Sequence, residues 1–416
     1  MPWKRLLTLS AVAAASAVTC ARPASIGRVR SEPSLRVGLS TTSSSIELRG
    51  EGGLEVRNAN RIAFRTGGNR TVHMVSDGDR VRIPDGSGSG VYRVLTFRGR
   101  SGERTVTFNG SRYRGQVEVR SSRGVLTVVN VVGLESYLPS VVGAEMGRRG
   151  RNETAALRAQ AVASRTYALK NRGKFASLGI DVMASVADQV YGGLETEYAG
   201  TVEAVGATRG EVLTYGGELI SAFFHSTCGY STAAPDEAFR NTSELPYLRP
   251  VSDRNGDGYY CDISPNFRWT VAWTQAELQR ILDETLPATL GIDRSDAAGV
   301  RALRAYRTGR SGRVIELRIG VAAGEIPVTG PNIRSVLRTP EGRALGSTAV
   351  QFSTSGGSGG GGGGGGEGIT FLASGAGWGH GVGMCQWGTV GRARAGQSYR
   401  EILRHYFSGT RIERFY

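Results

Sequence analysis

From Ser34 to about Val132 the chain alternates apolar and polar residues, in the runs RVGLS, SIELRG, YRVLTFRG, RTVTFNG, GQVEVRS and GVLTVVNVV. Glycine, asparagine and serine stand at the turns between runs. A period of two places alternate side chains on opposite faces, so this stretch is confined to half-buried strands joined by tight turns. It reads as a β-rich N-terminal part, residues 34–132, that supports or flanks an active region elsewhere and carries no chemistry of its own.

The period then changes. In LESYLPSVVGAEM the apolar positions are Leu134, Tyr137, Leu138, Val141, Val142 and Met146, the spacing of a helix. A basic connector, GRRGR, follows, and Asn152 reads as the cap of a second helix, ETAALRAQAVASRTYALKNRG, ending near Gly173. Its alanines make a narrow face that lets another element pack closely. Strands resume from Asp181 to Phe224, and FHSTCGYST and LPYLRPVSDRNGDGYYCD fall in a loop-rich region. TQAELQRILDETL reads as an amphipathic helix, GRVIELRIG as a strand and SYREILRHYF as the last helix. Ser355 to Gly368 is nearly pure glycine, a flexible insertion at 355–368. No internal repeat is visible. The predicted class is α+β, β-rich with a few helices.

A formal net charge of +15 over 416 residues points to a polyanionic partner. Nucleic acid is disfavoured, because there is no zinc-finger spacing and no long basic helix. The N-terminus decides the compartment. Residues 1–20 begin with basic Lys4 and Arg5 and continue through an apolar stretch from Leu6 to Val18, the pattern of an export signal. Cleavage near Ala21 would release a soluble protein, whereas lipidation of Cys20 would anchor a lipoprotein to the membrane. Either way the expected location is the cell envelope, where wall polymers and lipid head groups are the available polyanions. Apart from Cys20 the cysteines are Cys228, Cys261 and Cys385, an odd number that rules out a disulfide scaffold.

Four groups carry candidate chemistry, besides one weak imitation of a calcium loop. Glu145 ends an apolar helix among Val141, Val142 and Met146, surroundings that disfavour the ionised carboxylate and raise its pKa. A general acid for glycosidic bonds needs that shift; the plainer reading is a helix-end glutamate that points to solvent or pairs with Arg148 or Arg149. On the next helix Gln160, Ser164 and Tyr167 share one side, and Arg158, Arg165 and Arg172 form a separate stripe. His225, Cys228 and Cys261 have the makings of three zinc ligands, with His380, an acidic residue or water as the fourth; a Cys228–Cys261 disulfide or free thiols compete with that reading. DRNGDG, Asp253–Gly258, imitates the start of a calcium loop, but Ser264 stands where the final glutamate belongs, and a polar turn is the better reading. The fourth group is GWGHGVGMCQWG, Gly377–Gly388, where glycines free the backbone for positive φ and close approach around aromatic and hydrogen-bonding groups.

Together LESYLPSVVGAEM, AALRAQAVASRTYAL, FHSTCGYST, LPYLRPV and GWGHGVGMCQWGTVGRARAGQSYREILRHYF resemble, in order, the stage II sporulation protein D family (SpoIID/LytB). The resemblance runs from roughly residue 34 to the C-terminus, with residues 133–416 as the catalytic region and two helices beside a glycan-binding cleft. It implies a peptidoglycan lytic transglycosylase in which Glu145 protonates the oxygen between N-acetylmuramic acid and N-acetylglucosamine. The muramic C6 hydroxyl then attacks, leaving a 1,6-anhydro end with no cofactor required. Gln160, Arg165, Tyr167, His225 and Ser226 are implied to line the cleft, with His380 and Gln386 as hydrogen-bonding groups and Trp378 or Trp387 as an apolar platform. The expected partner is the peptidoglycan glycan strand. The alternative is a non-catalytic wall-binding module that enhances a cell-wall amidase. The GRRGR connector departs from relatives that carry Trp or Pro there, and the glycine tract looks peculiar to this chain.

Overall fold

The computed structural model describes residues 29–86, 88–240, 242–355 and 369–416. The expected export signal with Cys20 and residues 356–368 of the glycine tract lie outside the described residues. The alternating runs form strands. Seven make one sheet in the order Val182–Met183, Ser34–Ser43, Val125–Gly133, Gln116–Ser122, Val94–Gly99, Leu54–Asn58, Arg61–Arg65. Neighbours are antiparallel except Val182–Met183, which runs parallel to Ser34–Ser43. A second sheet of four strands, Ser45–Leu48, Val72–Asp77, Arg80–Ile83 and Gly90–Tyr92, contributes Met74 and Val81 to a core shared with Phe97, Val119 and Val128.

Val125–Gly133 breaks the alternation, being buried without interruption from Leu126 to Asn130. Its second face is covered by a later loop. The Tyr191 hydroxyl donates to Asn130 Oδ1 at 2.9 Å, while Asn130 Nδ2 donates to the Arg114 and Gln116 carbonyls. A buried asparagine is tolerable because its amide is satisfied on both sides. The strand runs straight into helix α1, Leu134–Met146, which packs on α2, Thr154–Lys170, and α3, Ala199–Ala207. Gly143 of α1 lets the turn Gly193–Thr196 come close: a Cβ there would lie 1.9 Å from the Thr196 carbonyl oxygen.

Two local readings are corrected. Asn152 does not cap the second helix; a short 3-10 turn, Arg151–Glu153, precedes it, and the Glu153 carboxylate takes the Gly150 N–H instead. The segment from Asp181 to Phe224 is not all strand, since AGTVEAVGA forms α3. Packing on α1 and α2 overrides the weak helix preference of its glycines and β-branched residues.

A buried ion pair joins this scaffold to the chain end. Arg165 of α2 donates through Nε and Nη2 to both oxygens of Glu135 in α1, at 2.8 and 2.9 Å. Its other N–H groups reach the carbonyls of Glu211 and Val205, and Tyr416 closes on Glu135 through its hydroxyl.

After the short α4, Pro235–Ala238, the chain builds a second apolar cluster. It holds Trp273, Leu282, Leu317, Ile319, Val328 and Phe371 among others, drawn from α5 (Gln275–Leu290), α6 (Asn332–Val336) and two three-stranded sheets. Its first and last strands pair with each other, Arg268 opposite Ala376 and Thr274 opposite Thr370. The chain then returns to the first core through α7, Gln386–Arg394, and α8, Tyr399–Tyr406, the latter capped by Ser398. Among the described residues no helix is long and apolar enough to cross a membrane.

The contact at Gly143 is backbone against backbone and cannot be relieved by a rotamer change. Gly143→Ala is expected to lower stability by about 1–3 kcal/mol, read as a lower urea midpoint at unchanged slope.

Candidate functional site

Glu145 lies on the last turn of α1 with its carboxylate held from two directions. Oε1 accepts the Val190 backbone N–H at 2.9 Å and Oε2 accepts from Gln386 Nε2 at 3.0 Å. Both bonds favour the charged form, but burial outweighs them and the pKa is raised above the usual carboxylate value. The side chain still keeps partial access to solvent. A half-buried carboxyl whose proton is held more tightly than usual has one of the properties a proton donor needs.

The two bonds come from opposite parts of the chain. Val190 belongs to the loop that Tyr191 fastens to the large sheet, so a strand framework without chemistry of its own sets the Glu145 environment. Gln386 opens α7. Strand Met384–Cys385 pairs in parallel with Phe224–His225, setting His225 opposite Cys385, and the Trp387 N–H donates to the Ser226 carbonyl at 3.0 Å. The HST and MCQW motifs therefore abut, with partly exposed Ser226 beside Gln386. This close approach depends on Gly383, where φ is 74° and a Cβ would lie 2.1 Å from the Phe223 carbonyl oxygen.

Other candidates lie further back. Gln160 is fully buried and donates to Ser164 Oγ at 3.0 Å, leaving its Oε1 without a hydrogen-bond partner among the described residues. Ser164 and Tyr137 meet Gln189, the neighbour of Val190. Tyr167 donates to Asp188 Oδ1 at 2.8 Å, and Asp188 also takes Lys174 and the Met183 N–H. Asp188 is thus committed to holding the loop. Arg165 does not reach the cleft: it is fully buried and its N–H groups are spent on Glu135 and backbone carbonyls.

His225 and His380 stand edge to face, with ring centroids 5.5 Å apart. His225 Nδ1 faces the Val382 carbonyl, so it carries the proton. His380 Nε2 faces the Phe224 carbonyl and its Nδ1 accepts the Val382 N–H. Burial, aided by Arg313 beside His225 and by His225 beside His380, lowers both pKa values to about 3. Both rings are neutral scaffolding and neither titrates near neutral pH. Trp378 lines a groove of about 360 Å³ with Trp269, Val271 and Arg343. Trp387 instead lies under the guanidinium of Arg149, 4.5 Å away, so the basic connector folds over it.

The metal-ligand reading changes membership. His225 is not among the residues whose ligand atoms gather there. Cys228, Cys261 and Cys385 are buried free thiols, and with Asp253 their ligand atoms all lie within 4.8 Å of one another. Asp253 opens the DRNGDG segment, which forms a small hairpin pairing Arg254–Asn255 with Gly258–Tyr259. A polar-turn motif identified the loop but could not show that its first carboxylate turns inward. The Val190 amide had no signal in the sequence, since a backbone donor has no residue type.

With this geometry in place, the comparisons with known proteins can be set against it. A family model described as "Stage II sporulation protein" matches residues 122–215, the span holding α1, α2, α3 and Glu145. The chain is 30% identical over 354 residues to an uncharacterized protein of Brachyspira hyodysenteriae, covering 83% of this chain and 82% of that protein. It is also 29% identical to stage II sporulation protein D of Bacillus subtilis, over 68% of this chain and 75% of that one. The chain belongs to the stage II sporulation protein D family. A second model, "Domain of unknown function (DUF8618)", matches residues 239–383, which include the second apolar cluster. The amidase enhancer of Bacillus subtilis is 27% identical over 62% of this chain, which spans 38% of that longer relative.

Because Gln386 stabilises the carboxylate form of Glu145, Gln386→Leu should raise the Glu145 pKa further, measured by carboxyl-carbon NMR titration. The linkage has a definite sign. A carboxyl whose folded pKa is raised contributes stability below its unfolded value, and loses it as pH rises through the folded one. Glu145→Gln should therefore gain on wild type across that window, read from paired denaturation curves. Arg165→Met should cost about 3–5 kcal/mol by leaving Glu135 buried without its counter-charge, read from the same denaturation curves.

Proposed function

We propose that this chain is an exported lytic transglycosylase that cleaves the glycosidic bond between N-acetylmuramic acid and N-acetylglucosamine in peptidoglycan. The observation that carries the reading is the Glu145 carboxyl: partly open to solvent, raised in pKa by burial, and aimed by Val190 and Gln386. Protonated Glu145 gives its proton to the bridging oxygen as the bond to the anomeric carbon breaks. The carboxylate left behind then takes the proton of the muramic C6 hydroxyl as that oxygen bonds to the anomeric carbon. The product is a 1,6-anhydro ring, and no water is consumed.

One carboxylate suffices because the nucleophile belongs to the substrate. Ordinary glycosidases need a second carboxyl group at a set distance. Asp188, which anchors the loop facing Glu145, has both oxygens committed and does not supply it. In the ionised state Val190 and Gln386 offer hydrogen bonds to the new carboxylate, which eases proton departure. Ser226, beside Gln386, and the groove at Trp378 are the polar and apolar surfaces available to the flanking sugars. The surplus positive charge favours residence on an anionic wall.

A second reading, a wall-binding module that enhances a partner amidase, has support from the similarity to the amidase enhancer. It needs the cleft but not the proton of Glu145. The two are separated by mass spectrometry of products from purified peptidoglycan. Fragments ending in 1,6-anhydro-N-acetylmuramic acid are expected from wild type, and a rate lower by about 10²–10⁴-fold from Glu145→Gln. Activity should decline as pH rises through the Glu145 pKa, and Gln386→Leu should move that decline to higher pH. Reducing ends would mean hydrolysis by water. No fragments from wild type, with unchanged stimulation of an amidase by Glu145→Gln, would establish the module instead.

A further inference from the structure

We propose that Cys228, Cys261, Cys385 and Asp253 together bind one zinc ion in a closed structural site. The four ligand atoms lie within 4.8 Å of one another, and all four residues are buried. Cys228 Sγ is 3.5 Å from Cys261 Sγ and 3.6 Å from Asp253 Oδ2. Tetrahedral zinc, with bonds of about 2.3 Å to sulfur and about 2.0–2.2 Å to oxygen, separates its ligand atoms by roughly 3.5–3.8 Å. The Cys228–Cys261 and Cys228–Asp253 pairs already have that spacing, and the remaining pairs lie within 4.8 Å. The cluster is too tight for a polynuclear iron–sulfur centre, whose cysteines are spread over several metals.

The surroundings are those of an anionic centre. Asp253 Oδ1 accepts from the Tyr406 hydroxyl at 2.8 Å and from Arg392 Nε at 3.2 Å, which leaves Oδ2 facing the sulfurs. Such outer partners orient a ligating carboxylate. Cys385 Sγ accepts the backbone N–H groups of Cys228 and Gly388, each at 3.2 Å, and it caps the positive end of α7. Arg313, fully buried, donates to the Cys228 carbonyl at 2.7 Å and, among the described residues, has no carboxylate partner and leaves Nε and Nη1 unpaired. A buried guanidinium without a counter-charge is costly. Three thiolates, a carboxylate and Zn²⁺ carry a net charge of minus two, which supplies the counter-charge that Arg313 lacks. A Cys228–Cys261 disulfide would instead leave Arg313 buried without that compensation.

Four protein ligands close the coordination sphere, so the ion is structural. Each cysteine gives up its thiol proton on binding, and no oxidant or reductant is involved. The site pins the segment after the HST motif, the hairpin containing Gly258–Tyr259 and the start of α7, where Gln386 reaches Glu145. It stands whether or not the chain cleaves glycan.

The test is metal analysis of the full chain, purified without chelator, by elemental mass spectrometry and zinc X-ray absorption. One zinc per chain is expected, with a shell of three sulfurs and one oxygen. Cys261→Ser and Asp253→Asn should each lower that stoichiometry at least several-fold. If those variants do not fold, the wild-type stoichiometry and ligand shell decide alone. A metal-free wild type with a disulfide-linked Cys228–Cys261 peptide would overturn the proposal, as would a shell containing histidine nitrogen or a zinc content indifferent to the cysteine substitutions.

Discussion

The arrangement rests on the buried pairing of Arg165 with Glu135. It locks α2 to α1 at the end opposite Glu145 and gathers the carbonyls of Val205 and Glu211 and the terminal Tyr416 around one guanidinium. Neither charge is tolerable inside the protein without the other. The pair thus fixes the angle at which α1 delivers its last turn. Everything said of the Glu145 environment assumes that this turn, the loop at Val190 and the start of α7 meet in one place.

Glu145 is tuned by opposing effects whose sources are far apart in sequence. Burial among apolar side chains pushes the pKa up, and two N–H donors pull it back. One donor is a backbone amide on a loop tied to the β-sheet, the other a side chain on a helix that begins some two hundred residues later. The imidazoles of His225 and His380 are neutral; both nitrogens of His380 and Nδ1 of His225 are held by backbone groups, while His225 Nε2 has no partner among the described residues.

Much of this was legible in the residues. The β-rich lead-in, α1, α2 and the last helix followed from periodicity, and α+β was the right class. Glu145 and Gln386, both named from motifs, lie in direct contact. What failed has physical causes. Helix α3 has little intrinsic preference and exists because α1 and α2 give it a surface. Arg165 was placed in the cleft because a motif records identity and not direction. Helix α2 is buried almost all round, so spacing alone could not say which neighbour an arginine meets. His225 was grouped with the cysteines by a short sequence interval. The fold joins Cys228 instead to Cys385 and Asp253, residues brought together only by the parallel pairing of Phe224–His225 with Met384–Cys385 and by the inward turn of the hairpin loop.

The pairing of Arg268 with Ala376 bears on how such a chain folds and diversifies. The second apolar cluster enters and leaves through adjacent strands, so the first core experiences the whole segment as a short turn. Closing a long flexible connection costs only about 0.6 kcal/mol for each doubling of its length, and here the segment's own sheet closes it. Residues before and after this unit therefore find each other at little entropic penalty. The unit itself can lengthen or shrink without moving the residues that meet at Glu145, provided that it keeps Arg313 at the Cys228 carbonyl.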